Sequence, residues 1–191
     1  ADLHAVQFVL GDGRPVGGGT FWLDEVRLMT DGCDPARLVQ SYRPDPASQA
    51  VRDTDIYPNR SFLYDNALTI QALWATGDAA ARATARQIAD AIVATVRPDG
   101  SYYNQRNAGH ALLREGSPRP PYGETRTLGD NAWFGLALLA LYESTGEAEY
   151  LSRARTISDW AEANLKDDGP WGGYRGGFDE AGNPFPWRAT E

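Results

Sequence analysis

The sequence predicts a mainly α-helical fold of two-layer helical hairpins, an incomplete α/α toroid with a short N-terminal β segment. Three observations carry this prediction. An internal repeat marks two related copies beyond residue 60. Each copy begins with a helix that is apolar around nearly its whole circumference, and each continues, past a glycine turn, into a helix with a single apolar stripe.

Residues 1–30 form the β segment. "LHAVQFVL" is followed by a Gly-Asp-Gly turn signal and a glycine run, then by "TFWLDEVRLM", where Phe21, Leu23, Val26 and Leu28 nearly alternate with polar positions. Two strands cannot close a core alone. The glycine-rich "GDGRPVGGG" is not a phosphate loop, because no Gly-Lys-Ser/Thr follows and a strand comes next. Residues 31–59 carry turn formers and Pro35, Pro44, Pro46 and Pro58, a linker with one short helix expected around Ala36 to Tyr42.

Residues 60–191 hold the partial toroid and its two hairpin repeats. Asp65-Asn66-Ala67 matches Asp130-Asn131-Ala132 at an offset of 65, and Thr76-Gly77-Asp78 matches Thr145-Gly146-Glu147 at an offset of 69. Ile88/Ile157, Asp90/Asp159 and Asp99-Gly100/Asp168-Gly169 keep the second offset. The four-residue step is about one helical turn, so it lengthens the first helix of the copy and leaves its faces nearly in register. "ALTIQALWA" and "AWFGLALLALY" read as inner helices buried on all sides, with Phe134 in the core and Trp133 either in the core or lining a cavity. The outer helices show the stripes Ile88, Ala89, Ile92, Val93, Val96 and Tyr150, Ala154, Ile157, Ala161, Leu165. Gly77 and Gly146 suit the left-handed residue that ends a helix, and Asp78 and Glu147 the start of the next. A closed ring of six such hairpins needs roughly 350 to 400 residues. About two are present, so we expect the remainder of a larger chain, or self-association, to cover the open flanks.

The totals exclude several function classes. A formal charge of -8, from 26 acidic and 18 basic residues with no basic block, disfavours nucleic acid as a partner. No apolar stretch approaches the ~20 residues that span a bilayer, so no membrane partner is expected. One cysteine, Cys33, excludes an internal disulfide and reads as structural; two widely separated histidines give no zinc-type cluster, and neither metal nor cofactor is expected. The N-terminal residues lack the basic start and apolar core of a signal peptide.

The segments "YDNA", "GDNAWFGLALLALYESTGEAEYL" and "GGYRGGFDEAGNPFPWRATE" resemble the six-hairpin glycosidase-like (α/α)6 toroid superfamily, in particular bacterial glycosyl-hydrolase-like proteins of unassigned activity. The resemblance covers about residues 31 to 191. It implies a carbohydrate substrate or ligand, most often hydrolysis, and an extracellular or periplasmic setting; lyases and epimerases share the fold, which does not fix function. "FWLDEVRL" also resembles the last strand of galactose-binding-like β-sandwich modules.

Candidate site residues follow from location. Asp65 and Asp130 sit where a loop gives way to an inner helix, where an Asp can cap free N–H groups. In a toroid those helix starts open onto one face of the central hollow, and glycosidases need two carboxyl groups about the scissile bond. Helix N-termini favour the anion, which casts Asp65 and Asp130 as base, nucleophile or hydroxyl acceptor and leaves Glu124 or Glu191 for the acid. Tyr64, Asn66, Tyr102, Tyr103, Asn131, Trp133, Trp171, Tyr174 and Trp187 are the candidate sugar contacts, as aromatic platforms and polar ligands at the hairpin ends. A non-catalytic binding or structural module is the first alternative; a polysaccharide lyase using Arg106, Asn107 and His110 of "NQRNAGH" is the second.

Overall fold

The computed structural model describes residues 38–39, 41, 60–107 and 124–189. The β segment over 1–30, Cys33, His110 and Glu191 lie outside the described residues. Of the short helix expected over Ala36 to Tyr42, three residues are described; Leu38 and Val39 lie in irregular backbone and Ser41 in a bend, so these three are not helical.

The described elements run β1 (Arg60–Phe62), α1 (Leu63–Ala75), α2 (Ala79–Val93), β2 (Gln105–Asn107), β3 (Arg126–Thr127), α3 (Leu128–Thr145), α4 (Ala148–Asn164) and β4 (Gly177–Phe178). Two helical hairpins result, and the inner helices α1 and α3 pack on each other and on their own outer helices, α2 and α4. The offset step appears as length: α1 has 13 residues and α3 has 18.

Each hairpin turns where the sequence demands. Gly77 and Gly146 adopt φ of 75° and 72°, and the Gly146 N–H donates to the Tyr142 carbonyl at 2.7 Å. Asp78 caps α2 by accepting from the Ala81 N–H at 2.8 Å. Glu147 departs from that pattern. Its side chain makes no cap bond and instead pairs with Arg86 of α2. Near that ion pair, the Tyr150 hydroxyl donates to Asp90 Oδ1 at 2.7 Å, tying α4 to α2; burial first, then the Asp90 carboxylate, push this phenol up.

The core lies between the two layers. Leu63, Ala67 and Ile70 of α1, the Ile88/Ile92 stripe of α2, and Phe134, Leu138 and Leu141 of α3 are buried in one cluster with Tyr150, Ala154 and Ile157 of α4. Each large side chain so buried contributes about 1.5–3 kcal/mol. The inner helix α3 is nevertheless not buried on every side: Leu136 is 51% exposed and Ala132 is exposed too.

Short strands, too brief to show a period in the sequence, position the helix starts. β1 pairs antiparallel with β2 (Arg60↔Asn107, Ser61↔Arg106, Phe62↔Gln105), and β3 with β4 (Arg126↔Phe178, Thr127↔Gly177). Each inner helix therefore begins beside the loop that trails its own outer helix. The first helical N–H groups confirm the equivalence: Leu63 donates to the Asn104 carbonyl and Leu128 to the Gly176 carbonyl, both at 2.9 Å. Gly177 cannot carry a side chain, since a Cβ there would stand 2.0 Å from the Arg126 carbonyl oxygen at a φ of +134°.

Candidate functional site

The twice-used Asp-Asn-Ala triplet divides its labour by position. Asn66 and Asn131 are the fourth residues of α1 and α3, and both are buried, at 1% and 0% exposure. Asn131 accepts from the Tyr102 N–H at 2.8 Å and donates to the carbonyls of Tyr102 (3.0 Å) and Thr127 (2.9 Å). Asn66 repeats the grip on Val39 N–H (3.0 Å), Ser61 Oγ (2.7 Å) and the Phe62 carbonyl (2.6 Å). Both N–H bonds of each amide are thus spent inside the protein. These asparagines bolt a preceding segment onto a helix start, and the expectation that they contact sugar is corrected.

Asp65 and Asp130 stand one residue earlier, inside the first turn rather than at the cap. The N-cap positions are Phe62, which offers no side-chain bond, and Thr127, whose Oγ1 accepts from the Asp130 N–H at 3.4 Å. Asp130 joins the two inner helices: its Oδ1 accepts from the Tyr64 N–H of α1 at 3.2 Å, and its Oδ2 accepts from the Thr127 hydroxyl. These donors stabilise its carboxylate form. Asp65 is placed differently. Burial raises its pKa above the usual 3.8 and outweighs the hydrogen bond from Ser41, so the expectation that the helix start would favour its anion does not hold.

Both carboxyl groups line one cavity of about 970 Å³. Its lining combines the rings of Tyr64, Trp133, Tyr174 and Trp187 with Asp65 and Asp130, and includes the aliphatic side chains of Leu136 and Leu139 of α3 and Ile157 of α4. Tyr64 and Trp133 meet edge to face with ring centroids 5.6 Å apart, which places Trp133 at the cavity wall. Trp187 stacks on Phe185 at 4.2 Å and 15°, and lies so close to the Gly176 backbone that a Cβ there would stand 2.5 Å from its Nε1. Tyr174 donates from its hydroxyl to Glu162 at 2.6 Å.

The remaining candidates are not brought to this cavity. Tyr102, at 0% exposure, packs its ring edge to face with Phe134 at 5.0 Å, and burial pushes its phenol up to about 12; it is a core residue, not a sugar contact. Tyr103 is half-buried under the Arg97 guanidinium, 4.4 Å from its ring, and does not line the cavity. Trp171, 85% exposed, also lies off the cavity wall. Glu124 is half-buried and off the wall too. Arg106 of the lyase reading points inward: at 2% exposure it donates to the Tyr103 carbonyl (2.8 Å) and Thr95 Oγ1 (2.7 Å), and is closed to a uronate. Among the described residues no group of three or more His, Cys, Asp or Glu side chains is arranged to hold a metal ion.

Sequence reasoning missed Thr127, Ser41 and Arg188. Thr127 was legible as a hydroxyl three residues before an acid at a helix start. Arg188 lines the cavity with its guanidinium paired to Asp167, 21 residues away, and Ser41 reaches Asp65 from the linker. Neither leaves a local signal.

The chain matches no protein-family model and no curated protein. Among solved structures it is similar to a GH76 alpha-mannanase of Bacteroides thetaiotaomicron, at 21% identity and a TM-score of 0.53, over 69% of this chain and 35% of that one. It is also similar to a sugar epimerase from a ruminal bacterium (16% identity, TM-score 0.49, 69% of this chain and 35% of that one). A family 76 glycoside hydrolase from a bovine Bacteroides thetaiotaomicron strain matches at 18% identity and a TM-score of 0.49, over 69% of this chain and 28% of that one. The chain therefore spans about a third of the length of these structures. The first likeness shows the fold, two hairpins of an α/α toroid.

Proposed function

We propose that the protein is a carbohydrate-active enzyme, a glycoside hydrolase whose carboxyl pair is Asp65 and Asp130. One observation carries the reading: acids from equivalent positions of two inner helices share one cavity with Tyr64, Trp133, Tyr174 and Trp187. Sugars present apolar C–H faces to such rings and hydroxyls to such acids. The likeness to the alpha-mannanase fold agrees with it.

The environments of the two acids support different roles. Asp65, whose burial favours the protonated form, donates its proton to the leaving glycosidic oxygen as the C–O bond breaks. Asp130, stabilised as the anion by the Tyr64 N–H and the Thr127 hydroxyl, either attacks the anomeric carbon or takes a proton from the attacking water. The anomer first formed distinguishes the two courses.

Incubation with a panel of neutral oligosaccharides and polysaccharides tests the proposal through new reducing ends. Asp65→Asn and Asp130→Asn should each lower the rate about 10²- to 10⁴-fold. Each amide keeps one acceptor oxygen; at position 130 it can still accept from the Tyr64 N–H, while the amide N–H takes over the contact with Thr127 as a donor. A second reading, a carbohydrate-binding module, is favoured by the fact that both Asp130 oxygens already accept bonds from the protein. Retention of a glycan with no reducing ends formed, unchanged by either substitution, would establish that reading and refute the hydrolase.

A further inference from the structure

Arg188 takes no part in the chemistry proposed for the two aspartates, yet among the described residues it is the one cation lining their cavity. Its backbone is pinned on both sides. The Trp187 carbonyl accepts from the Gly176 N–H and the Ala189 N–H donates to the Tyr174 carbonyl, both at 2.9 Å, and Arg188 itself pairs with Arg175 in an antiparallel bridge. Its side chain is held from one edge only: Nε and Nη2 both reach Asp167 Oδ2 at 2.5 Å, while Asp167 Oδ1 accepts from the Gly169 N–H at 2.9 Å. A Cβ at Gly169 would stand 3.1 Å from both Arg188 Nη2 and Asp167 Oδ1, so the glycine gives this pair its room. Among the described residues no group engages Arg188 Nη1, whose two N–H donors are left for a ligand.

The paired segment brings Tyr174 to the same wall. Its hydroxyl proton is spent on Glu162 at 2.6 Å, and Lys166 first, then Tyr174 itself, hold the Glu162 carboxyl below the usual range. A phenol whose proton is committed offers a ligand only lone pairs. The wall therefore carries a fixed donor, Arg188 Nη1, and a fixed acceptor, the Tyr174 oxygen. That combination separates ligand classes. A sugar hydroxyl both donates and accepts, and can use the two groups together; a carboxylate accepts only, and would bring a further anion towards Asp167, Asp130 and the Tyr174 lone pair.

We infer that Arg188 and Tyr174 are specificity-determining contacts for an uncharged glycan, with Nη1 donating to its hydroxyls, the Tyr174 oxygen accepting from them, and uronates rejected at the same wall. This rests on the carbohydrate reading above and adds to it a substrate class. Asp167 and Glu162 act as positioning residues: one fixes the guanidinium plane, the other fixes the phenol proton.

Isothermal titration with neutral gluco-, manno-, galacto- and xylo-oligosaccharides, and with glucuronate, mannuronate and galacturonate oligomers of the same lengths, tests the inference. The tightest neutral ligand should bind at least about tenfold more tightly than any uronate. Arg188→Ala should weaken that ligand about tenfold or more, as expected for a hydrogen bond to a charged group. Arg188→Lys should lose nearly as much, since an ammonium drawn to Asp167 presents no second edge. Among monodeoxy forms of the ligand, one should bind wild type weakly and Arg188→Ala no more weakly, and another should stand in the same relation to Tyr174→Phe. A residue that only held its loop would weaken every form alike. Equal affinity for neutral and uronate ligands, unchanged binding by Arg188→Ala, or the same loss for every deoxy form would overturn the inference, and the hydrolase reading would survive if wild type still formed reducing ends. A panel in which no glycan is bound or cleaved would overturn both.

Discussion

Asn131→Ala should destabilise the protein severely while Asp130→Asn, one residue away, should barely do so. Truncation at Asn131 removes the partner of the Tyr102 N–H and of the Tyr102 carbonyl, in a segment at 0% exposure that water cannot reach. The Thr127 carbonyl keeps its helical partner, since an N-cap carbonyl already accepts the first intrahelical bond. Two orphaned buried groups cost about 1–3 kcal/mol each. A loss near 3 kcal/mol is a large share of the roughly 5–15 kcal/mol that holds a domain together, and corresponds to about 6–12 °C in Tm. Asn131→Asp offers no escape, because a carboxylate cannot donate to the two carbonyls that the amide now serves. In Asp130→Asn the amide oxygen still accepts from Tyr64 and the amide N–H can donate to Thr127 Oγ1; what goes is the charge at the helix start, about 0.3–1 kcal/mol. Urea denaturation followed by circular dichroism measures both, with an unchanged m-value as the check that ΔΔG is comparable. A cost below about 1 kcal/mol for Asn131→Ala, or equal costs for the two variants, would refute the reading of Asn131 as the bolt between the hairpins.

Asp65→Asn should raise Tm at pH 7 and have no effect near pH 3. With its pKa raised above 3.8 in the folded state, Asp65 contributes stability that is present below the unfolded value and lost as pH rises through the folded one, and the amide does not titrate; a variant less stable than wild type at pH 7 would contradict the burial of that charge. Gly146→Ala should cost about 1–2 kcal/mol, from the left-handed backbone alone, since a Cβ there meets open space. Gly177→Ala should cost clearly more, because its Cβ would stand 2.0 Å from the Arg126 carbonyl; equal Tm losses for the two would mean that β4 is not held against β3 in solution. On the proposed reading, Trp187→Ala should weaken binding of an oligosaccharide about tenfold, or 1.4 kcal/mol, with a Tm loss of no more than a few degrees from the lost stack on Phe185, and isothermal titration showing equal affinity would expose a ring that contributes nothing.

Much of the fold was legible because it is local or repeated. The glycine stops at Gly77 and Gly146, the Asp78 cap and most of the outer-helix stripes are decided within a few residues, and the structure reproduces them, though Val96 falls beyond the end of α2 and Ala161 is only half-buried. What was misread depends on what covers a residue. Tyr102 and Trp171 look alike in sequence, yet one is sealed and the other bare because α3 packs beside the first. Asn66 and Asn131, polar residues at the mouth of a helix, resemble ligands for a substrate until their partners 27 and 29 residues earlier are seen. Leu136 belongs to a helix apolar on all sides, which predicts burial only where every side has a neighbour.

The two aspartates show the same limit from the other direction. The repeat makes Asp65 and Asp130 equivalent, and an argument from position alone gives them one charge state. The copies differ three residues upstream, where Thr127 supplies a hydroxyl and Phe62 supplies none. Asp130 consequently gains a donor from its own cap and a second from the neighbouring helix, while Asp65 relies on Ser41 from the linker and suffers the burial. Acid catalysis on a sugar requires such an inequality between two carboxyl groups. A duplicated hairpin provides two acids at one hollow, and the cap, the neighbouring helix and the linker together make them unlike. Thr127→Val would remove the hydroxyl donor to Asp130; on the proposed hydrolase reading the acid and alkaline limbs of the pH–rate profile should then draw together, and a profile left unchanged would show that the cap does not set the difference.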